Sequence, residues 1–214
     1  MGNTSPLRKA ILDEDHEGLE QILQEAGDGA PDLINEDFTS DCLCNRFRNI
    51  QPPLHTAFAK GNIVAAQILL NYGAEINAPG WRGQQCLHLV ARQNRGDLCN
   101  LCVEHGADVH GEDTDGKRPL HAAAASHKAA RSGEARSLEY LMTKTSAKED
   151  VNFADVDGNT PLHDAAFWDI VCTTKYLCTN GADVSIKNEK GLTPHAVASA
   201  RNKLNVAEFL KQYV

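Results

Sequence analysis

Apolar residues recur along this chain in short blocks, and each block opens on the same pair of residues. Four leucine–histidine pairs stand 33, 33 and 42 residues apart, at Leu54-His55, Leu87-His88, Leu120-His121 and Leu162-His163. A further step of 33 residues from Leu162 reaches His195. A fixed period in this range is typical of repeat proteins, in which each unit packs only against its neighbours.

The sequence of each repeat predicts two short helices. In one block Thr160 suits the N-cap of the first helix and Pro161 its first turn, where no backbone donor is needed. The second helix is clearest in the apolar run 63–70. We expect the second helices to end at glycines in matching positions, where the chain needs a left-handed residue: Gly73, Gly106 and Gly181.

The stretch 158–166 reads Gly-Asn-Thr-Pro-Leu-His-Asp-Ala-Ala, and most of it recurs in the other blocks. With its period of 33 residues, this motif resembles the ankyrin repeat. The resemblance implies an all-α fold, a solenoid of five to six stacked helix pairs linked by short β-hairpin fingers. It also implies that each motif histidine braces a turn through a hydrogen bond, and that the asparaginyl hydroxylase of many ankyrin proteins has target positions at Asn77 and Asn152.

The repeats predict one domain that covers residues 1–214. A degenerate capping repeat takes residues 5–27 and an enlarged loop residues 27–50. Full repeats start near residues 52, 85, 118 and 160, and a C-terminal capping repeat runs over 193–214. The fourth repeat carries nine extra residues, most of them in a predicted loop over 128–136, which we expect to be a solvated, cationic segment.

Charge and composition narrow the class of protein. The net charge is −8; residues 1–45 carry eleven acidic and two basic side chains, whereas residues 46–214 carry 18 acidic and 19 basic ones. This is not the basic footprint of a nucleic-acid binder. No apolar run is long enough to span a membrane, and no secretory segment is visible. Seven cysteines without an export signal indicate reduced thiols, hence the cytoplasm and also the nucleus.

Candidate metal and catalytic groups have structural explanations. The four motif histidines share one position of successive helices, and packed helices lie about 8–10 Å apart, too far for adjacent histidines to share a zinc ion. Cys99 and Cys102 match apolar positions of the second repeat, which indicates core thiols. Cys42 and Cys44 alone make a weak metal motif. With no nucleophile or phosphate-loop motif, we expect a non-catalytic protein without cofactor or metal.

The positions that the ankyrin resemblance implies are exposed indicate a protein partner. These are the finger tips and the ends of the first helix of each repeat, on the concave side. The candidate partner-binding residues are Trp81, Arg82, Gln84, Arg92, Thr114, Lys117, Ser126, Val156, Asn159, Phe167 and Trp168. We expect the two tryptophans and Phe167 to be buried by the partner, framed by Arg82, Arg92 and Lys117, because tryptophan and arginine dominate binding hot spots.

The sequence leaves alternatives open. Trp81 could fold back on its own finger, and Trp168 could pack under the insertion of the fourth repeat. The chain itself is interpreted as a monomeric adaptor or masking inhibitor. The alternative is a structural subunit that assembles through its terminal repeats, against which the acidic first repeat argues.

Overall fold

The computed structural model describes residues 6–35, 51–144 and 151–213. Within these ranges the chain forms fourteen α-helices and no β-strand. Six helices make an inner layer: α1 (Pro6–Leu12), α4 (Pro53–Lys60), α6 (Cys86–Arg92), α8 (Pro119–Ala124), α11 (Pro161–Trp168) and α13 (Pro194–Ala200). Six make an outer layer: α2 (His16–Ala26), α5 (Ile63–Asn71), α7 (Gly96–Glu104), α10 (Arg136–Lys144), α12 (Val171–Thr179) and α14 (Leu204–Leu210). The others are α3 (Ala30–Asn35) and α9 (His127–Ser132).

Each inner helix packs against its outer partner and against the inner helices on either side of it. A continuous buried cluster results, from Leu7 in α1 to Leu177 in α12. A second cluster, around Val206 and Leu210, closes the C-terminal pair. Because no pair could bury its apolar face alone, the stack as a whole forms the core. The predicted all-α solenoid is confirmed.

The predicted helix boundaries follow the repeated motif. Proline occupies the first position of α4, α8, α11 and α13, where its missing N–H costs nothing. The glycines expected after the outer helices have left-handed φ values of 89° at Gly73, 81° at Gly106 and 92° at Gly181. These three chain reversals are confirmed, and they return the chain toward the inner layer.

Two segments assigned to loops contain helices. The region 27–50 begins with a 3-10 turn over Gly27–Gly29 and then α3, which buries Ala30 and Ile34. The rest of that region, with Cys42 and Cys44, lies outside the described residues. The segment 128–136 falls largely in α9, so its assignment to a loop is wrong. Its helix begins where the Ser126 hydroxyl accepts a hydrogen bond from the Ala129 N–H at 3.3 Å.

Each connection between repeats contains a five-residue turn, which we call a finger; the fingers lie at 80–84, 113–117, 155–159 and 188–192. In each finger the first N–H donates to the last carbonyl, at 2.9–3.0 Å; from Asp113 to Lys117 the distance is 3.0 Å. Neighbouring fingers are joined by one backbone bond each, such as Thr114 N–H to the Arg82 carbonyl at 2.9 Å. These hairpins are too short to form strands, but the backbone bonds fix the position of each finger tip relative to the next finger.

None of the helices in the described ranges has both the length and the apolar character needed to cross a bilayer.

Candidate functional site

A groove of about 500 Å³ runs along the concave side, between the fingers and the ends of the inner helices. Its walls come from four successive repeats, so that residues far apart in sequence face one opening. The aromatic lining residues are Trp81, Phe167 and Trp168, and the cationic ones are Arg82, Arg92, Lys117, Lys190 and Arg201. A cleft shaped by rigid elements and lined by aromatic and charged groups is the usual form of a binding site.

Both tryptophans of the chain line this groove and remain exposed. Trp81 keeps 51% of its surface accessible and Trp168 keeps 42%. Both side chains are exposed as predicted, although Trp168 also contacts His127, the first residue of the insertion helix α9. Large exposed aromatic side chains are costly to leave in water and are enriched in binding hot spots.

At one end of the groove, Trp168 belongs to a cluster of rings. Its centroid lies 4.8 Å from that of Phe167 and 4.6 Å from that of His127, both in edge-to-face geometry. The guanidinium of Arg201 lies 3.9 Å from the Phe167 ring centroid, in a cation–π contact. The cluster therefore presents a preorganised apolar surface with a cation at its border.

Trp168 occupies a position that other repeats use for a structural bond. At the equivalent position, the Gln93 amide donates to the Phe58 carbonyl at 2.9 Å, and the Ser126 hydroxyl donates to the Arg92 carbonyl at 2.8 Å. Both bonds tie the end of one inner helix to the next repeat. The indole of Trp168 makes no such bond among the described residues, so the fifth repeat gives up this brace and exposes an aromatic ring instead.

At the finger end of the groove, Trp81 and Arg82 form the tip of their turn. The Arg82 guanidinium pairs with the Asp115 carboxylate of the next finger and lies 5.4 Å from the Trp81 ring centroid. The exposed pair contributes little to stability by itself. It does hold the arginine beside the indole, where both can contact a partner.

Lys117 forms the centre of the groove floor. Its ammonium donates to both carboxylate oxygens of Asp164, at 2.8 and 2.7 Å, and lies 3.1 Å from Asp155. Burial opposes the charge of Lys117, but the two carboxylates outweigh it and raise the lysine pKa. Burial raises the pKa of Asp164, which Lys117 only partly offsets. The Asp155 and Asp164 carboxylates thus share the Lys117 ammonium, and these ion pairs hold the side chains of the groove floor in place.

Asp155 is the other carboxylate of that floor, and its side chain is almost completely buried. It accepts hydrogen bonds from the Asp157 and Asn159 N–H groups at 3.0 and 2.7 Å. Burial opposes its charge, but the Asn159 N–H and Lys117 outweigh burial and hold the Asp155 pKa below its ordinary value. The same turn-closing role belongs to Asp113 in the preceding finger.

The motif histidines brace the fingers from below. Their Nε2 atoms contact the last carbonyl of the next finger, from His55 to Gln84 at 2.9 Å and from His121 to Asn159 at 3.1 Å, with His88 and His163 doing the same. Because a carbonyl can only accept, Nε2 carries the proton. The structural role expected for these histidines is confirmed.

Burial keeps the braced histidines neutral. Burial, with a smaller contribution from the charge of Lys117, lowers the pKa of His121 to about 4. Burial likewise lowers the pKa values of His55, His88 and His163. Within the described ranges no three groups of His, Cys, Asp or Glu are placed to hold a metal ion.

Several predicted site residues differ from the expectation in exposure or in place, although Gln84 does line the groove. The expectation that Gln84 and Ser126 are exposed is wrong: both are buried, because the Gln84 amide donates to Asp113 at 3.2 Å and the Ser126 hydroxyl bridges two helices. Thr114 and Val156 are exposed on finger tips but do not line the groove. Lys117, Asn159 and Phe167 line it in partly buried positions, and Arg92 lines it as an exposed side chain.

Many groove residues were not among the predicted site residues, and Lys190, Asp164 and His127 illustrate why. Lys190 shares the second tip position of its finger with Arg82, a relationship visible in the repeat alignment. Asp164 follows the motif histidine, where its acidic character in an otherwise apolar helix is a signal. His127 begins α9 and contacts Trp168, which is part of the alternative in which Trp168 packs under the insertion of the fourth repeat.

The cysteines of α7 and the two bridging asparagines have defined surroundings. Cys99 and Cys102 are fully buried, and burial raises the pKa of Cys99 to about 11, which confirms them as core thiols. Asn77 donates to the Gly106 carbonyl at 3.0 Å and accepts from the Asp108 N–H at 2.8 Å. Asn152 makes the equivalent pair of bonds, so both amides tie one repeat to the next. Their modification stays a prediction.

Sequence comparisons agree with this architecture. A family profile described as "Ankyrin repeats (3 copies)" matches residues 54–128, 87–188 and 126–213. The chain belongs to the ankyrin repeat family. Its repeats are similar to part of the Neurogenic locus Notch protein of Drosophila melanogaster, at 45% identity over 58 residues, and to part of the human Neurogenic locus notch homolog protein 2, at 41% over 58 residues.

A third similarity is to the 2-5A-dependent ribonuclease of Mus musculus, at 39% identity over 66 residues. The matched segments cover 27% of this chain for the two Notch proteins and 30% for the ribonuclease. They span only 2% of each Notch protein and 9% of the ribonuclease. These similarities therefore concern the repeats alone. Ankyrin repeats are generally protein–protein interaction modules and are typically non-catalytic.

Proposed function

We propose that this chain is a non-catalytic module that binds a partner protein along the concave groove, as a small adaptor or a masking inhibitor. The observation that carries the proposal is the placement of both exposed tryptophans in one groove. A protein that needed only to fold would gain by burying them or by keeping the polar brace that Trp168 replaces. The partner provides the burial that the isolated chain lacks.

In this proposal the groove works as a rigid template. The fingers are fixed by backbone bonds, the floor by Lys117 with its two carboxylates, and the helix ends by packing, so little order is lost on binding. Trp81 and the Phe167–Trp168 pair act as anchors at the two ends. Arg82 and Arg92 lie on the rim, where they steer the partner and fix its register.

The charge distribution supports a protein partner over nucleic acid, because the chain is acidic as a whole and its groove mixes both signs. We propose that the chain acts as a monomer in the cytoplasm and also in the nucleus. The cysteines of the described residues are free thiols, three buried and two partly exposed, which fits those compartments.

A pull-down with the full chain tests the proposal. Wild type is compared with Trp81→Ala/Trp168→Ala and with a control, Val64→Ala/Leu204→Ala, which removes two exposed apolar side chains outside the groove. We expect a partner that is retained by wild type and control and lost with the tryptophan variant, all three having the same circular dichroism. Partners retained by all three proteins would contradict a role of the groove.

A further inference from the structure

The charged side chains that line the groove differ in whether they have a bonding partner within the chain. Among its carboxylates, Asp113 accepts two backbone N–H bonds, Asp115 pairs with Arg82, and Asp164 is held by Lys117. Within the described residues only Asp157 lines the groove with a carboxylate that has no internal partner. Of the four carboxylates in the described part of the chain that line the groove, three are therefore bonded within the chain, and only Asp157 is left for a partner.

The positive charge of the groove is only partly compensated, since Arg82 and Lys117 pair with carboxylates but, in the described ranges, the other three cations do not. Arg92, Lys190 and Arg201 line the groove, are exposed, and have no carboxylate partner among the residues that the structure describes. Arg92 and Arg201 lie at the ends of α6 and α13, where a cation is favourable beside the helix carbonyls. Among the described residues neither guanidinium donates to a carboxylate, although Arg201 stacks on Phe167, and Lys190 lies on the finger 188–192.

The distance between Arg92 and Arg201 sets the length of a bound segment that contacts both. Arg92 and Arg201 are separated by three steps along the inner layer, from α6 to α8, α11 and α13. Packed helices lie about 8–10 Å apart, so the two cations stand roughly 24–30 Å apart. An extended chain advances about 3.3 Å per residue, which corresponds to roughly eight residues.

The floor between the arginines has two parts. Ala122 in α8 and Ala125 at its C-terminal end are small side chains that line the groove in the repeat after Arg92. The Phe167–Trp168 surface follows before Arg201. An extended segment could lie close to the helix ends over the alanines. A large apolar side chain of that segment would then meet the aromatic rings near its far end.

We propose that the segment bound in the groove is acidic and extended, with two carboxylate-bearing positions about eight residues apart and an apolar side chain near one of them. The carboxylates pair with Arg92 and Arg201, and the apolar side chain packs on Phe167 and Trp168. This proposal rests on the proposed function, since it names the chemistry of the partner. Charge complementarity decides it: the groove offers three open cations against one open carboxylate.

Selection from a phage-displayed library of random 12-residue peptides on the full chain tests this inference. Selected peptides are first sorted by loss of binding to Trp81→Ala/Trp168→Ala, which identifies those that occupy the groove. We expect the groove peptides to be enriched in Asp and Glu over the input library. Synthetic copies should bind Arg92→Glu/Arg201→Glu about tenfold more weakly, or worse, and their affinity should fall with salt.

The control variant Lys128→Glu/Arg131→Glu makes the same change of charge on exposed residues of α9 that do not line the groove. It should bind the peptides as wild type does. If Arg201→Glu disturbs the fold by removing the contact with Phe167, Arg92→Glu/Lys190→Glu supplies the same test.

The outcomes separate the two proposals. Groove peptides without acidic enrichment, or peptides insensitive to the charge reversal, would overturn the acidic segment and leave the groove as a binding site. Absence of any tryptophan-dependent peptide would overturn both.

Discussion

The thiol of Cys86 lies 3.6 Å from Nδ1 of His55 and takes the place of a bond that the other repeats make with the backbone. In the later repeats this nitrogen accepts from the N-cap N–H, as from Thr160 to His163 at 3.1 Å. In the second repeat the N-cap is Pro52, which has no N–H to donate. Two departures from the motif, Pro52 and Cys86, therefore compensate each other across adjacent repeats.

Replacing Cys86 by alanine should lower stability by more than the loss of a buried sulfur alone. His55 Nε2 donates to the Gln84 carbonyl, so Nδ1 of the neutral ring is an acceptor and would be left buried without a donor. That state costs about 1–3 kcal/mol. The free energy of unfolding in urea measures the effect.

Cys102→Ala is the matched control, because Cys102 is equally buried and its thiol has no hydrogen bond among the described residues. Cys86→Ser, which keeps a donor, should be more stable than Cys86→Ala. Equal losses for Cys86→Ala and Cys102→Ala would show that the contact between Cys86 and His55 contributes nothing.

Stability should fall on mild acidification. The pKa of His121 is lowered from its ordinary value of 6.5 to about 4. The unfolded chain therefore binds a proton between these values that the folded chain excludes, and protonation favours unfolding below pH 6.5. Above pH 6.5 neither state is protonated and the effect vanishes. We expect a decrease of about 1 kcal/mol per pH unit or more between pH 6 and 5.

Urea unfolding of wild type and His121→Gln across this range provides the measurement. The glutamine amide can still donate to the Asn159 carbonyl but does not titrate, so its profile should be flatter. His105→Gln, which changes an exposed ring, should reproduce the wild-type slope. The difference between the wild-type and His121→Gln stability profiles is the decisive quantity. The raised pKa of Asp164 stabilises the folded chain as the pH falls, and so opposes the effect of the histidine in both proteins. A wild-type profile as flat as that of His121→Gln would contradict the account.

Much of the fold follows from local signals that the sequence displays. The Thr-Pro and Pro-Leu-His frames mark where inner helices begin, and Gly73, Gly106 and Gly181 mark where outer helices end. The same repeat alignment placed both tryptophans at exposed positions. The helix α9 could also have been found, because Ser126 is a good N-cap and Gly133 a good C-terminal residue for a short helix.

The surroundings of individual side chains were harder to predict. An equivalent position in a repeat fixes where a side chain starts but not which group it meets in the next repeat. Gln84 and Ser126 were expected on the surface, yet each finds a hydrogen-bond partner one repeat away and is buried by it. Trp168, at the position equivalent to Ser126, finds none and stays exposed. Such outcomes depend on tertiary contacts.

Lys117→Met should destabilise the chain by about 2 kcal/mol at neutral pH. The change leaves Asp155 and Asp164 in the groove floor without their shared cation, and removing one partner of a buried ion pair is costly. The partial exposure of Lys117 reduces the loss below that of a fully buried pair. Asp164→Asn, which keeps the pair between Lys117 and Asp155, should cost less.

Urea unfolding of the two single variants and of Lys117→Met/Asp164→Asn forms a double-mutant cycle. The double variant should be more stable than the sum of the single losses implies, because it removes one of the two unpaired carboxylates. Additive losses would show that the ammonium and the Asp164 carboxylate are not coupled.

The affinity of a partner captured by the wild-type chain tests the central claim most directly. It is measured by calorimetry for wild type, Trp168→Ala, Trp81→Ala and the control Val64→Ala. Loss of either aromatic anchor should cost about 2 kcal/mol or more, whereas loss of the Val64 side chain, outside the groove, should cost nothing measurable. Wild-type affinity in both tryptophan variants would contradict the groove as the binding site.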